Sequence, residues 1–252
     1  MIVPQHIRAD ETLIKAEART LIWSEPLSGG GRAVVKMYRR RGLIEPMRRL
    51  VVRYRSEREY QLLAQLHACG IPCPEPIRWS HGSDRRHGRF EILVTREIPA
   101  TAPLAYLMKR SRSAVPDLRP LFQLARRMHD AGIAHGAFYP TNILVSLPAG
   151  DPPAYHVNDL AHGCRFRDGI TGTRPATFDV LDMLRGIERR MPIDDCPRWL
   201  EGYGAGAEGV RQFLTLLEGH WLERPWRHIR RAETDTREAI GRLGRAPRAV
   251  RT

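Results

Sequence analysis

The spacing of apolar residues along the chain changes character near Pro99. Before it, short runs of alternating apolar and polar residues predominate. After it, apolar residues recur three and four positions apart, the period of a helix packed on one face. Residues 12–23 (TLIKAEARTLIW) read as two short strands joined by a turn, and Gly29–Gly31 as a hairpin turn. Arg32–Tyr38 (RAVVKMY) reads as a strand with Val34, Lys36 and Tyr38 on one face. Trp79–Glu97 reads as two strands around the polar turn HGSDRRHG. One helix interrupts this part, Ser56–His67, where Leu62, Leu63 and Leu66 follow Glu59 at helical spacing.

Beyond Pro99, Asp117–Ala131 is predicted to be a helix with the stripe Leu118, Leu121, Phe122, Ala125, Met128, ended by Gly132. Two short strands flank the turn signal Pro148–Pro153. Phe178–Ile187 is helical, and further helices fall within 198–224. After Pro225 the chain is basic and weakly patterned, and reads as a short helix with a frayed tail. The pattern predicts an α+β chain of two lobes. Residues 1–98 form a small antiparallel β-sheet lobe with one helix, and residues 99–252 a larger helical lobe.

Two polar residues do not fit a plain amphipathic reading. Lys36 sits in the centre of an apolar strand, where it either snorkels from an edge or needs an anionic partner. Glu59 lies on the buried face of its helix, where a carboxylate needs a cation. Ser56 and Glu59 also have the spacing of a capping box. The spacing leaves both roles of Glu59 open.

Composition narrows the class of partner. The net charge is +13 over 252 residues, most of it from Arg, which implies acidic partners: nucleic acid, phosphorylated substrates or an anionic membrane surface. No aromatic–basic RNA-module motif and no zinc-finger spacing occurs, so nucleic acid ranks below a phosphorylated glycolipid. Arg39–Arg55 is a basic amphipathic segment that could lie on an anionic bilayer, grip a phosphorylated substrate or form a solvated helix face. No apolar run reaches the length of a membrane span, and the N-terminus has no hydrophobic signal core, so a cytoplasmic location is expected. Cys69, Cys73, Cys164 and Cys196 have no framework spacing and are expected to be reduced. His67, Cys69 and Cys73 lack the second pair that a zinc site needs.

The chemistry is concentrated in His135–Leu144 (HGAFYPTNIL) and His156–Leu160 (HVNDL). The turn between them brings Asn142 and Asp159 to corresponding edges of a hairpin. An amide oxygen beside a carboxylate suits Mg²⁺, which takes hard oxygen ligands. The ordered series Lys36, Glu59, His135, Phe138, Asn142 and Asp159 resembles that of protein kinases. The wording HGAFYPTNILV followed by HVNDL most resembles the kinase-like family that phosphorylates the inner core of bacterial lipopolysaccharide, the Kdo and heptose kinases.

The resemblance implies a bilobal protein-kinase-like fold. It also implies ATP and Mg²⁺ as cofactors, and a Kdo or heptose hydroxyl of lipopolysaccharide core glycolipid as acceptor, at the cytoplasmic face of the inner membrane. It assigns Lys36 to the phosphates with Glu59 as partner, and Glu97 and Ile98, in the hinge Glu97–Ala100, to the nucleotide. It assigns His135, Asn142 and Asp159 to catalysis, the last two as metal ligands, and Asp179 to anchoring the catalytic loop. The other reading of Asp179 is an acid near a helix start, favoured by the helix dipole.

Three departures bear on activity. Ala137 stands where kinases have the catalytic Asp, with Gly136 in the place of the preceding Arg. Residues 12–23 contain no glycine where kinases have a Gly-rich loop over the phosphates. The triplet at Asp159 is Asp-Leu-Ala rather than Asp-Phe-Gly. Two expectations follow. One is a weakly active sugar kinase in which His135, Tyr139 or His162 replaces the base. The other is an inactive pseudokinase that binds nucleotide or partner proteins in envelope assembly.

Overall fold

The computed structural model describes residues 12–40, 54–85, 87–110, 117–147, 152–190 and 194–219. Most of the basic segment 39–55, part of the 148–153 turn and the tail beyond Pro225 lie outside the described residues.

The first part is a five-stranded antiparallel sheet in the order β1-β2-β3-β5-β4. Its strands are β1 (Thr12–Ala16), β2 (Thr20–Pro26), β3 (Arg32–Arg40), β4 (Pro76–Asp84) and β5 (Gly88–Arg96). Helix α1 (Arg55–Ala68) crosses between β3 and β4. Alternation on β3 sorts side chains to two faces. Ala33 and Val35 join Val94 in a small cluster with Trp23 and Ile77. Lys36 and Tyr38 point the other way, as does their neighbour Leu93, which packs with Leu62, Leu63 and Leu66 of α1. The strand signal in HGSDRRHG is stronger than the turn signal. β4 runs on through Asp84, and the turn shrinks to three residues before Gly88.

The capping-box reading of α1 is corrected. Tyr54 holds the cap position and its own side chain makes no capping hydrogen bond. Ser56 lies inside the first turn, fully buried. Its N–H and Oγ both donate to Glu91 Oε2, at 2.9 and 3.0 Å. A buried carboxylate on β5 therefore satisfies the helix start, and Glu59 is left for another partner.

The second part begins with β6 (Thr101–Pro103) and α2 (Leu104–Arg110). Then come α3 (Arg119–Asp130), β7 (Ile133–Ala134), β8 (Ile143–Ser146), β9 (Ala154–Val157) and β10 (Cys164–Arg165). Three helices close it: α4 (Arg174–Glu188), α5 (Cys196–Gly202) and α6 (Ala207–Gly219). This part is not purely helical: β6, β8 and β9 form a three-stranded sheet, and β7 pairs with β10. Helix α3 starts two residues later than its apolar stripe suggests. The Asp117 carboxylate accepts the Arg119 N–H at 3.0 Å and holds the entry outside the helix. One continuous core runs from Leu62, Leu66 and Leu93 through Phe122 and Met128 to Phe138, Val157, Leu184 and Trp199. The cleft-facing loops therefore rest on a single packed body.

Candidate active site

Three elements contribute to one ion cluster. Lys36 Nζ, on β3, donates to Glu59 Oε1 of α1 at 3.0 Å and to Asp159 Oδ1, just after β9, at 2.6 Å. Burial alone would lower the Lys36 ammonium. The negative charge of Glu59, with Tyr38 and Asp159, outweighs it and holds Lys36 well above the usual lysine range. Burial would likewise raise the Asp159 carboxyl, but Lys36, through charge and hydrogen bond, and then Arg55, hold it at about 2. The second oxygen of Glu59 accepts the Tyr38 hydroxyl at 2.6 Å. Glu59 is thus an interior partner of Lys36, and its spacing from Ser56 is incidental.

Asp159 has φ +59, the left-handed region that a non-glycine residue seldom adopts. Its side chain remains 33 % exposed, and Oδ2 has no hydrogen-bond partner among the described residues. Asn142 closes a 3₁₀ turn at Pro140–Asn142. The register Ile143↔Val157 and the Asn158 N–H to Asn142 carbonyl bond (3.0 Å) bring Asn142 next to the segment that carries Asp159. Asn142 Nδ2 donates to the Ala137 carbonyl at 2.9 Å, and among the described residues Oδ1 accepts only the Thr141 hydroxyl, at 3.3 Å. Two hard oxygens therefore remain available at the hairpin end, and this donor set fits Mg²⁺.

The loop between β7 and β8 is held from below. Asp179 is buried, at 1 % exposure, on the sixth residue of α4, so it is not an acid of the first turn. Its oxygens accept the His135 N–H at 2.6 Å and the Gly136 N–H at 2.9 Å. His129 Nε2 lies 3.3 Å from the same carboxylate, and its Nδ1 lies 2.7 Å from the Tyr203 hydroxyl. Gly136 has φ +75, and a Cβ there would lie 2.1 Å from the His162 carbonyl oxygen, so backbone approach explains this glycine.

The His135 ring is wholly buried. Its Nδ1 accepts the Ala137 N–H at 3.3 Å, so Nε2 carries the proton that is donated to the Asn158 carbonyl at 3.0 Å. Burial lowers its pKa, which keeps this neutral form. The ring joins the loop to the Asp159 segment and is closed off from solvent. Ala137, Tyr139 and His162 are half-buried.

At the hinge, the Glu97 carboxylate accepts the Ser24 hydroxyl and lies 3.5 Å from Arg32 Nε. Glu97 N–H is used by the Arg32 carbonyl (2.9 Å), and the Ile98 carbonyl accepts the Thr101 hydroxyl at 3.0 Å. The Glu97 side chain is therefore turned to the sheet. Between β1 and β2, a tight turn closed by Glu17 N–H to Thr20 O (2.8 Å) takes the place of a long phosphate loop. Glu17 in that turn pairs with Lys15 at 2.9 Å.

Sequence reasoning placed Tyr38 on the Lys36 face but gave it no role. It missed the Ser56–Glu91 clamp, the Arg58 Nη2 bond to the Ala161 carbonyl (2.6 Å), and the His129–Tyr203 support of Asp179. These contacts join residues far apart in sequence, and no local spacing announces them. Among the described residues no cluster of three or more His, Cys, Asp or Glu side chains could hold a metal ion.

Known proteins resemble this chain in sequence and in fold. A 3-deoxy-D-manno-octulosonic acid kinase from Actinobacillus succinogenes is 30 % identical over 91 residues, 36 % of this chain. The chain spans 38 % of that relative's length in the match. Among solved structures, WaaP in complex with acyl carrier protein superposes with a TM-score of 0.59 at 17 % identity, covering 88 % of each chain. The Rio2 kinase–ADP/Mg²⁺–phosphoaspartate complex from Chaetomium thermophilum gives 0.52 at 21 % identity, over 92 % of this chain and 72 % of that one. These two likenesses establish a protein-kinase-like α+β fold. Residues 8–203 match the lipopolysaccharide kinase (Kdo/WaaP) family, most of the chain. The chain belongs to that family.

Proposed function

We propose that the protein is an ATP- and Mg²⁺-dependent phosphotransferase of low turnover that acts on a Kdo or heptose hydroxyl of the lipopolysaccharide inner core. The observation that carries this reading is the meeting of Lys36 with Glu59 and Asp159, three residues on separate elements. A sheet lobe could be stabilised with an apolar residue at position 36. A buried ammonium held between two carboxylates is instead suited to oxygens of a polyphosphate.

Asp159 Oδ2 and Asn142 Oδ1 would hold Mg²⁺, and Lys36 would meet the α/β-phosphates. Main chain at Glu97 and Ile98 would border the base. The metal supplies neutralisation of phosphate charge as the phosphoryl group moves. Asp179 and His135 act as positioning residues, holding the loop on which Asn142 and Ala137 stand. We divide the lobes at this hinge, 1–98 and 99–252. No helix among the described residues is long and apolar enough to cross a membrane. A peripheral position at the cytoplasmic face of the inner membrane, through the basic segment Arg39–Arg55, belongs to the same proposal. Nucleic acid is not a proposed partner.

One observation favours a second reading, a pseudokinase. Ala137 offers a methyl group where a proton acceptor would face the incoming hydroxyl, and a positioned base contributes roughly 10²–10⁴-fold. The tight turn at Glu17 also removes the backbone cradle for phosphate. Native protein, Ala137→Asp and Asp159→Ala are to be assayed for ATP binding with and without Mg²⁺, and for turnover with lipopolysaccharide core acceptors. The expected result is Mg²⁺-dependent binding that Asp159→Ala abolishes, and turnover that Ala137→Asp raises. Binding without turnover in both native protein and Ala137→Asp supports the pseudokinase. Binding of ATP by Asp159→Ala with unchanged Mg²⁺ dependence would refute the metal assignment.

A further inference from the structure

Tyr38 is 5 % exposed on the Lys36 face of β3, two residues beyond the lysine. Its hydroxyl donates to Glu59 Oε2 at 2.6 Å while Lys36 holds Oε1 at 3.0 Å. The two oxygens of one buried carboxylate are thus divided between a phenol and an ammonium. The Tyr38 ring is itself fixed: the Arg55 guanidinium lies 4.4 Å from its centroid and Lys36 Nζ 5.4 Å. Both are within cation–π range. The ring row is also where Glu91, opposite Tyr38 in the sheet, clamps the α1 N-terminus through Ser56.

This arrangement exceeds what packing requires. Phe would fill the same space on β3. The hydroxyl matters because Glu59, at 1 % exposure, is shut off from bulk solvent. Without a donor there, a buried carboxylate oxygen is left unpaired, and Glu59 rotates to find another partner. That rotation releases Lys36 toward Asp159 alone. The separate Ser56–Glu91 clamp keeps α1 docked meanwhile, so loss of the hydroxyl alters the pair more than the fold.

We propose that Tyr38 is a positioning residue that orients Glu59, and through it sets Lys36 for the phosphates of a nucleotide. This inference rests on the phosphotransferase reading above. Tyr38 does not touch the ligand; it fixes which way the carboxylate faces.

The test uses full-length protein in four forms: native, Tyr38→Phe, Glu59→Gln and the double variant. ATP and AMP affinities are measured by calorimetry, with melting temperatures alongside. Lys36 is assigned to the α/β-phosphates, and AMP lacks the β. Tyr38→Phe should therefore weaken ATP by about tenfold, the loss of one hydrogen bond to a charged group, and weaken AMP less. In the Glu59→Gln background the same change should cost nothing further. An equal loss of ATP and AMP affinity, or a melting-temperature drop with an unchanged ATP/AMP ratio, overturns the inference. So does a full additional loss in the Glu59→Gln background.

A second readout needs no nucleotide. In a crystal structure of Tyr38→Phe the Glu59 carboxylate should be rotated away from the Lys36 ammonium, breaking their 3.0 Å contact. If native protein binds neither nucleotide, the phosphotransferase reading fails and this contact alone decides. A broken contact sustains the coupling of Tyr38 to the pair, and an unchanged one overturns it.

Discussion

Replacing Asp179 by Asn tests how the β7–β8 loop is held. The change keeps the size of the side chain but trades one acceptor oxygen for an NH₂ group. In the native protein the carboxylate receives the His135 N–H at 2.6 Å and the Gly136 N–H at 2.9 Å, with His129 Nε2 at 3.3 Å. Asn can serve only one of the two backbone donors. The other is left buried and unpaired, a cost of roughly 1–3 kcal/mol. The surviving bond loses its charge assistance, about 1 kcal/mol more. A total of about 2–4 kcal/mol is a large share of the roughly 5–15 kcal/mol that stabilises a domain. For a chain of this size it lowers the melting temperature by about 5–15 °C. Urea unfolding followed by circular dichroism gives the free energy. Hydrogen exchange gives the locus, with protection lost first at the His135 and Gly136 amides. A difference below about 0.5 kcal/mol, the range of an ordinary surface substitution, with unchanged protection at those amides, would refute the anchoring role.

Two further outcomes are expected. Gly136→Ala should destabilise by at least about 2 kcal/mol, because a left-handed backbone costs an alanine roughly 1–2 kcal/mol and the methyl meets the His162 carbonyl; thermal unfolding checks it, and a neutral effect would contradict the close approach. At pH 8 Cys69 should react with a thiol reagent ahead of the other cysteines: it is exposed, whereas burial pushes the thiols of Cys73 and Cys196 up to about 12 and keeps them protonated, so rapid modification of Cys73 in the folded protein would show the packing to be wrong.

What the sequence made legible, and what it concealed, divides along the range of the interactions. Elements with a strong period were readable, because burial of one face imposes that period directly. Helix α3 and strand β3 are examples, their apolar residues recurring where the core requires them. The Lys36–Glu59 contact could be inferred because each residue was anomalous alone, a charge on a face that should be apolar, and two opposite anomalies call for each other. Ser56 misled because a capping box is a local signal. A buried acceptor contributed by β5, 35 residues away, satisfied the helix start instead, and nothing in Glu91 itself marked it as that acceptor. The same holds for His129, which reads as an ordinary polar residue at a helix end until Tyr203 and Asp179 close on its two ring nitrogens. His135 is the most instructive position. Its place in the motif associates it with catalysis, yet its ring is spent on the Ala137 N–H and the Asn158 carbonyl. In this chain the motif therefore encodes a scaffold around Ala137: Asp179 below, His135 across to the Asp159 segment, and Gly136 against His162. The scaffold stands intact around a methyl group. For that reason a single substitution at position 137 separates a site that lacks one group from a fold that has given up phosphoryl transfer.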